Sequence, residues 1–370
     1  MSKRQHSNVQ TPRSTPIVAS VNFAHRFLSI YLYYSGKLEA HKNNRPQKWT
    51  ILRYQRVIEP SRQPYPISVG QYVTPKTFEM HLRFLRKKCN VISLDSLLES
   101  LDNQKAIPKD TVVITIDDGY VDNYVYAFPL LQKHGLPATF FIPTSFIGSM
   151  DMFWPDKIMA AILTLFAHGV TFSQIDIIEK DFPDLFSSTK EDFSSTIAKT
   201  SILINLLKEV DPNERARIMA HIGVFLDEVG GFSMDRYFLN WHEVREMSSS
   251  PLVIFGSQGA SHANYNELSP EEIIEDIRNS YLDFRANDIT PTKVFCYPSG
   301  LFSKNNRQLL AKLGMEKVLA IGDFSLPQAE NEKALKTLVL GRVQMFDSAS
   351  FSNDLFACRI WRASAFGVPF

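Results

Sequence analysis

Cysteine is scarce: 370 residues contain three, Cys89, Cys296 and Cys358. An odd count with no close pair argues against a disulfide framework, a zinc knuckle or a redox motif. A reducing compartment is the simpler setting. Net charge is nearly absent, at +1, so nothing in the balance points to nucleic acid. Clean apolar runs are missing as well. Residues 21–34 (VNFAHRFLSIYLYY) are apolar and aromatic, but His25 and Arg26 interrupt them. They fall short of the roughly 18 uninterrupted residues that a membrane span needs. The polar start, Met1–Pro16, has no apolar segment directly behind a basic cluster, so no signal peptide is expected. The chain also lacks a repeat of fixed period.

These absences leave a cytoplasmic protein as the expectation, with membrane association open. Lys37, His41, Lys42, Arg45 and Lys48 follow the aromatic stretch. Residues 21–48 therefore read in two ways. One is a helix packed on the body; the other is an interfacial helix in peripheral contact with an anionic membrane.

What is present is an ordinary globular composition, 44% hydrophobic and 21% charged, enough for a sizeable core. From Trp49 onward, strand and helix patterns alternate. Strands are expected at Trp49–Val57, Val91–Leu94, Thr111–Ile116, Ala138–Ile142, Leu252–Gly256, Lys293–Tyr297, Lys317–Ile321 and Thr337–Val343. Phe78, Leu82 and Leu85 recur at helical spacing within Pro75–Lys88, with His81 on the polar side. Ser269-Pro270-Glu271-Glu272 is a capping box with proline at the first helical position. Repeated β-then-α units predict an α/β fold with a parallel sheet or (β/α) barrel. The rhythm breaks across residues 151–240, which carry helical runs and no convincing strand, and so read as a helical insertion. Three parts follow: residues 1–48, a polar tail and amphipathic helix; residues 49–350, the barrel; and residues 351–370, a C-terminal tail.

The most informative run is Thr111 to Gly119, TVVITIDDG. A buried strand ends in two adjacent carboxylates, and Gly119 permits a sharp turn. Neighbouring strand residues face opposite sides, so Asp117 and Asp118 reach one cleft only where the chain bends. The plain alternative is an Asp-Gly turn. Three further segments carry polar or special residues at expected strand ends: Arg53–Val57, Gly256–His262 and Tyr297–Gly300. In a (β/α) barrel such ends gather on one face, where active sites lie.

Taken together, Thr115-Ile116-Asp117-Asp118-Gly119, Trp241 with Glu243, Gly256-Ser257 followed by His262, and Tyr297-Pro298-x-Gly300 resemble the polysaccharide deacetylases of the NodB-homology type, carbohydrate esterase family 4. The order is that of their permuted exopolysaccharide branch, and the likeness runs from about residue 49 to 346. It implies a distorted barrel of about seven strands and metal-dependent N-deacetylation of an acetylated amino sugar in a surface polysaccharide, glycolipid or precursor. It implies Asp117 as general base, Asp118 as metal ligand, Arg342 as the arginine orienting the base, and zinc as the expected ion. Tyr120, Tyr297, Pro298 and Gln55 would face the substrate.

Two positions depart from that pattern. Gln258 stands where the first of two metal-binding histidines belongs, leaving His262 as the second. Gln55 stands where the permuted branch has the histidine that serves as acid. A carboxamide oxygen is a weaker zinc donor than imidazole, and glutamine cannot give up a proton at physiological pH. The departures open a second reading: a degenerate member that binds glycan or a partner without turnover.

Overall fold

The computed structural model describes residues 23–44, 49–63, 65–68, 70–186, 192–231, 236–315, 317–321, 338–361, 364–365 and 368–369. The polar segment Met1–Pro16 and the basic residues Arg45 and Lys48 lie outside them. Seven parallel strands form the centre: β1 (Trp49–Tyr54), β2 (Thr111–Asp117), β3 (Ala138–Ile142), β4 (Val253–Ser257), β5 (Phe295–Cys296), β6 (Lys317–Ile321) and β7 (Leu338–Gln344). Each pairs with its neighbour in chain order. β1 also pairs with β7, at Leu52↔Val343, so the sheet closes into a barrel ringed by helices.

Alternation along the strands sorts side chains into two layers. Leu52, Tyr54, Ile114, Ile116 and Phe140 face outward and pack beneath the helices Pro75–Lys88 and Phe128–His134. Ile51, Val113, Phe141, Cys296, Leu319 and Leu340 share a second cluster, with Leu94, Leu97 and Leu98 of the helix Leu94–Asp102. Continuing the second parity toward the carboxyl ends brings Arg53, Thr115, Asp117 and Arg342. One end of the barrel interior is therefore apolar, and the other is charged.

The expected strand Trp49–Val57 breaks at Gln55; Arg56–Val57 leaves the barrel to pair with Tyr72–Val73. The expected strand Val91–Leu94 is shorter, Asn90–Val91. Ser93 accepts a hydrogen bond from the Ser96 amide and so starts a helix at Leu94. His81 is fully buried rather than on a polar face. It meets the Tyr54 hydroxyl at 3.1 Å and the Ser350 carbonyl at 2.6 Å, and its ring stacks on Phe356. Burial pushes its pKa down to about 3, so it is a neutral core residue.

Between β3 and β4 the helices Trp154–Ala167, Asp176–Asp181, Phe193–Leu207 and Pro212–Glu228 build a separate apolar cluster that includes Ile162, Leu165, Leu203 and Ile218. The segment expected as a C-terminal tail contains the helix Asn353–Ile360, whose Phe356, Cys358 and Ile360 join the main core. It packs against the helix Phe23–Tyr34, with the Ser29 hydroxyl donating to Asp354 at 2.5 Å. Ile30, Tyr31 and Tyr34 of that helix are exposed. Among the described residues no helix is long and apolar enough to cross a membrane.

Candidate active site

Parallel strands place Gln55, Asp118 and Gln258 at one end of the barrel, each one residue past its strand. Asp117, the last residue of β2, is 0% exposed. Arg342 grips it with two nitrogens, Nη1 to Oδ1 at 2.7 Å and Nη2 to Oδ2 at 2.8 Å. Arg53 Nε donates to Oδ2 at 2.6 Å. Arg342 also donates to the Thr115 hydroxyl at 3.1 Å and lies beside Cys296. A carboxylate surrounded in this way stays put and stays oriented, and paired planar hydrogen bonds are the strong kind.

The chain then turns. Asp118 has φ +75° and Gly119 φ +67°. A side chain at position 119 would be strained by that φ, and its Cβ would lie 2.9 Å from Ile142 Cγ2. The turn points the Asp118 carboxylate at a different set of partners. Gln55 Nε2 donates to Oδ2, and His262 Nε2 lies 3.3 Å from Oδ1. Burial works against the Asp118 charge, but His262, Arg53 and the Gln55 amide outweigh it and hold the carboxyl down at about 2. The depressed value is a stabilising contribution above the ordinary carboxylate range, lost as pH falls toward 2.

His262 is delivered by the loop after β4, itself in the left-handed region at φ +57°. Asp276, from the helix Pro270–Ala286, shapes that loop. Its carboxylate accepts from the Ala260 amide at 3.1 Å, the Ser261 amide at 2.8 Å and the Tyr265 hydroxyl at 2.8 Å. Phe153 stacks on the His262 ring with centroids 4.2 Å apart.

Whether these residues fit a divalent ion turns on two details. Asp118 Oδ1 is buried and has no hydrogen-bond partner. His262 Nε2 faces both that oxygen and Gln258 Nε2, the latter at 3.4 Å. The two neighbours make opposite demands, since the oxygen wants a proton on Nε2 and the amino group wants a lone pair. A cation held by Asp118 Oδ1, His262 Nε2 and the Gln258 amide oxygen satisfies all three once the amide is turned. Turning costs the hydrogen bond from the Asp118 amide to Gln258 Oε1, 3.2 Å long, while that amide keeps the Phe141 carbonyl at 2.8 Å. The donor set fits an ion, with one weak donor. Among the described residues no three His, Cys, Asp or Glu side chains gather for a metal; Gln258 would be the third donor beside Asp118 and His262.

The other expected residues divide. Tyr120 is buried beside the pair, its hydroxyl donating to Asp156 Oδ2 at 3.3 Å. Tyr297 is buried among Tyr265, Phe295 and Phe302, and Pro298 is buried next to it. Neither makes a hydrogen bond to the carboxylates. Sequence alone marks Arg53 and Arg56 only as part of the strand-end segment Arg53–Val57, without a role, and does not single out Asp122, Asp156 or Asp276. Arg56 and Asp122 form a buried ion pair at 2.8 Å, and Arg56 also meets the Tyr237 hydroxyl at 3.1 Å. Asp276 did carry a signal: it lies with Ile273, Ile277 and Ser280 on a buried helix face, where a charge needs a reason. Asp156 lies in the first turn of the helix Trp154–Ala167, where an acid is ordinary.

Two outcomes follow for stability. Gly259 sits at φ +78°, and a Cβ there would fall 2.3 Å from Asp276 Oδ2. Gly259→Ala is expected to cost at least about 2 kcal/mol in denaturant unfolding. Burial pushes the Asp156 carboxyl up to about 6. A raised acid favours the fold while protonated, so its contribution is complete below about pH 4 and lost as pH rises through 6. Asp156→Asn should therefore gain about 1–2 kcal/mol over the wild type at pH 8, and the gap should close near pH 4 in thermal unfolding.

The chain is similar to known proteins. The family model described as polysaccharide deacetylase matches residues 104–212 and 219–318. YxkH of Bacillus subtilis (strain 168), named as a polysaccharide deacetylase, is 34% identical over 110 residues. That match spans 29% of this chain and 36% of YxkH. Among solved structures, the Streptococcus pyogenes deacetylase PplD in complex with acetate aligns with a TM-score of 0.50 at 17% identity, covering 85% of this chain and 99% of that one. IcaB from Ammonifex degensii aligns with a TM-score of 0.50 at 15% identity, covering 85% and 98%. At such identities the two structures speak for the fold alone. With more than half of its residues matched by the family model, on a closed seven-stranded barrel, the chain belongs to the polysaccharide deacetylase family.

Proposed function

We propose that the protein removes the N-acetyl group from an amino sugar in a surface polysaccharide, a glycolipid or its precursor. The observation that carries this reading is the division of labour between adjacent carboxylates. Asp117 is fixed by Arg53 and Arg342, and Asp118 is turned toward His262, 3.3 Å from Oδ1, an oxygen that accepts no hydrogen bond. Asp118 Oδ1, His262 Nε2 and the Gln258 amide oxygen would hold a divalent ion, with zinc the expected one. When bound, such an ion supplies Lewis-acid polarisation of the acetamide carbonyl. Asp117 accepts the proton of the attacking water. Its Oδ1 takes one hydrogen bond from Arg342, which leaves acceptor capacity on that oxygen. Arg342 and Arg53 keep the carboxylate aimed, and immobility of this kind is what makes a general base effective.

A binding-only role is the second reading, and a specific observation favours it. Gln55 occupies Asp118 Oδ2, and Gln258 turns its amino group toward His262. Acetate release separates the two. Purified protein supplied with zinc and an N-acetylglucosamine oligomer is expected to release acetate, and Asp117→Asn should lower kcat by at least about 100-fold with KM little changed. Tight oligomer binding without acetate release would establish the binding-only role.

A further inference from the structure

The insertion between β3 and β4 does more than pack on the barrel: its first helical turn reaches the site. Phe153, the N-cap of Trp154–Ala167, lies on the His262 ring. Three residues later, Asp156 is half-buried, and its Oδ2 accepts the Tyr120 hydroxyl at 3.3 Å. Tyr120 directly follows the Asp117-Asp118-Gly119 turn, so this bond ties the insertion to the carboxylate strand end.

The charges around Asp156 are mostly spoken for. Arg56, Tyr120, Tyr237, Asp118 and His262 are the charged and titratable groups that act on it. Arg56 is matched by Asp122, and Arg53 and Arg342 by Asp117. Among the described residues, Asp156 has no ion pair. Burial pushes its carboxyl up to about 6, and the Asp118 charge acts in the same direction against Arg56, Tyr120 and His262. A carboxylic acid in that range holds a proton for part of the time near neutral pH, and its partner Tyr120 lies two residues past Asp118.

Breaking an amide requires a proton on the departing nitrogen. Gln55 cannot supply it, and its amide is committed to Asp118. The Tyr120 and Tyr237 hydroxyls are held far above neutrality by burial, so they orient rather than donate a proton outright. We propose that Asp156 is the proton donor to the amine leaving group, a role resting on the deacetylase reading above. Water adds to the acetyl carbon as Asp117 takes one of its protons. The C–N bond then breaks as the Asp156 proton moves to nitrogen. Acetic acid and the free amine depart, Asp117 gives its proton to solvent, and Asp156 regains one. The sum is one water consumed and one amide cleaved.

The test compares two acetyl donors on the full chain with zinc. One is an N-acetylglucosamine oligomer; the other is 4-nitrophenyl acetate, whose phenolate leaves without a proton. Asp156→Asn should lose at least about 100-fold in kcat/KM on the amide and less than about tenfold on the aryl ester. Asp156→Glu should recover part of the amide rate. Should the Asn variant fail to fold by circular dichroism, Asp156→Ser is read in its place. Equal losses on the two donors, or amide hydrolysis within tenfold of the wild type, would overturn the role of Asp156 alone. A wild type that cleaves neither donor would overturn the deacetylase reading and this proposal with it.

Discussion

Two guanidiniums meet one carboxylate at the charged, carboxyl-terminal end of the barrel, and the rest of the site is arranged around that contact. Arg53 and Arg342 together make three hydrogen bonds to Asp117, all buried. Removing one partner of a buried pair typically costs about 3–5 kcal/mol, because the remaining charge is stranded. The local charge balances only when Asp118 is counted: two arginines against two aspartates. Arg53 is among the groups that hold Asp118 ionised. The pair of carboxylates is therefore one electrostatic unit with two faces, one locked to arginine and one turned to the cleft.

The barrel makes that unit possible. Arg53, Asp117 and Arg342 share the strand parity of Ile51, Val113 and Leu340, so the polypeptide alternation that fills the apolar end also aims the charges. The loops past the strands then use uncommon backbone. Asp118 and His262 both have positive φ, a cost that surrounding hydrogen bonds sustain. Asp276 anchors one of those loops with three hydrogen bonds from the helix that follows it in the chain. The insertion meets the site through Phe153, stacked on His262, and Asp156, which accepts from the Tyr120 hydroxyl.

Much of this could be read from residue order. The β-branched run into Asp117-Asp118-Gly119, the capping box at Ser269 and the β-then-α alternation are local signals, and the barrel and the strand-end cluster follow from them. The partners of each carboxylate were less visible. Arg342 was identified by its place in the family pattern, whereas Arg53 was visible only as one end of a polar strand-end segment, with no partner assigned. Asp156 depends on how a long helical insertion folds back on the barrel, which no periodicity encodes. His81 looked polar because its neighbours on the helix are charged, and only the docking of the helix Asn353–Ile360 shows that it is buried. The glutamines at 55 and 258 were legible as departures; their orientation against Asp118 and His262 was not.

The central claim is that the second carboxylate, His262 and Gln258 form an ion site in spite of the glutamine. A crystal structure of the protein grown with zinc, with data collected above and below the zinc absorption edge, tests it directly. The account predicts an anomalous peak within about 2.0–2.3 Å of Asp118 Oδ1 and His262 Nε2, with the Gln258 oxygen turned toward it. No peak there, with the Gln258 amino group still facing His262, would contradict it.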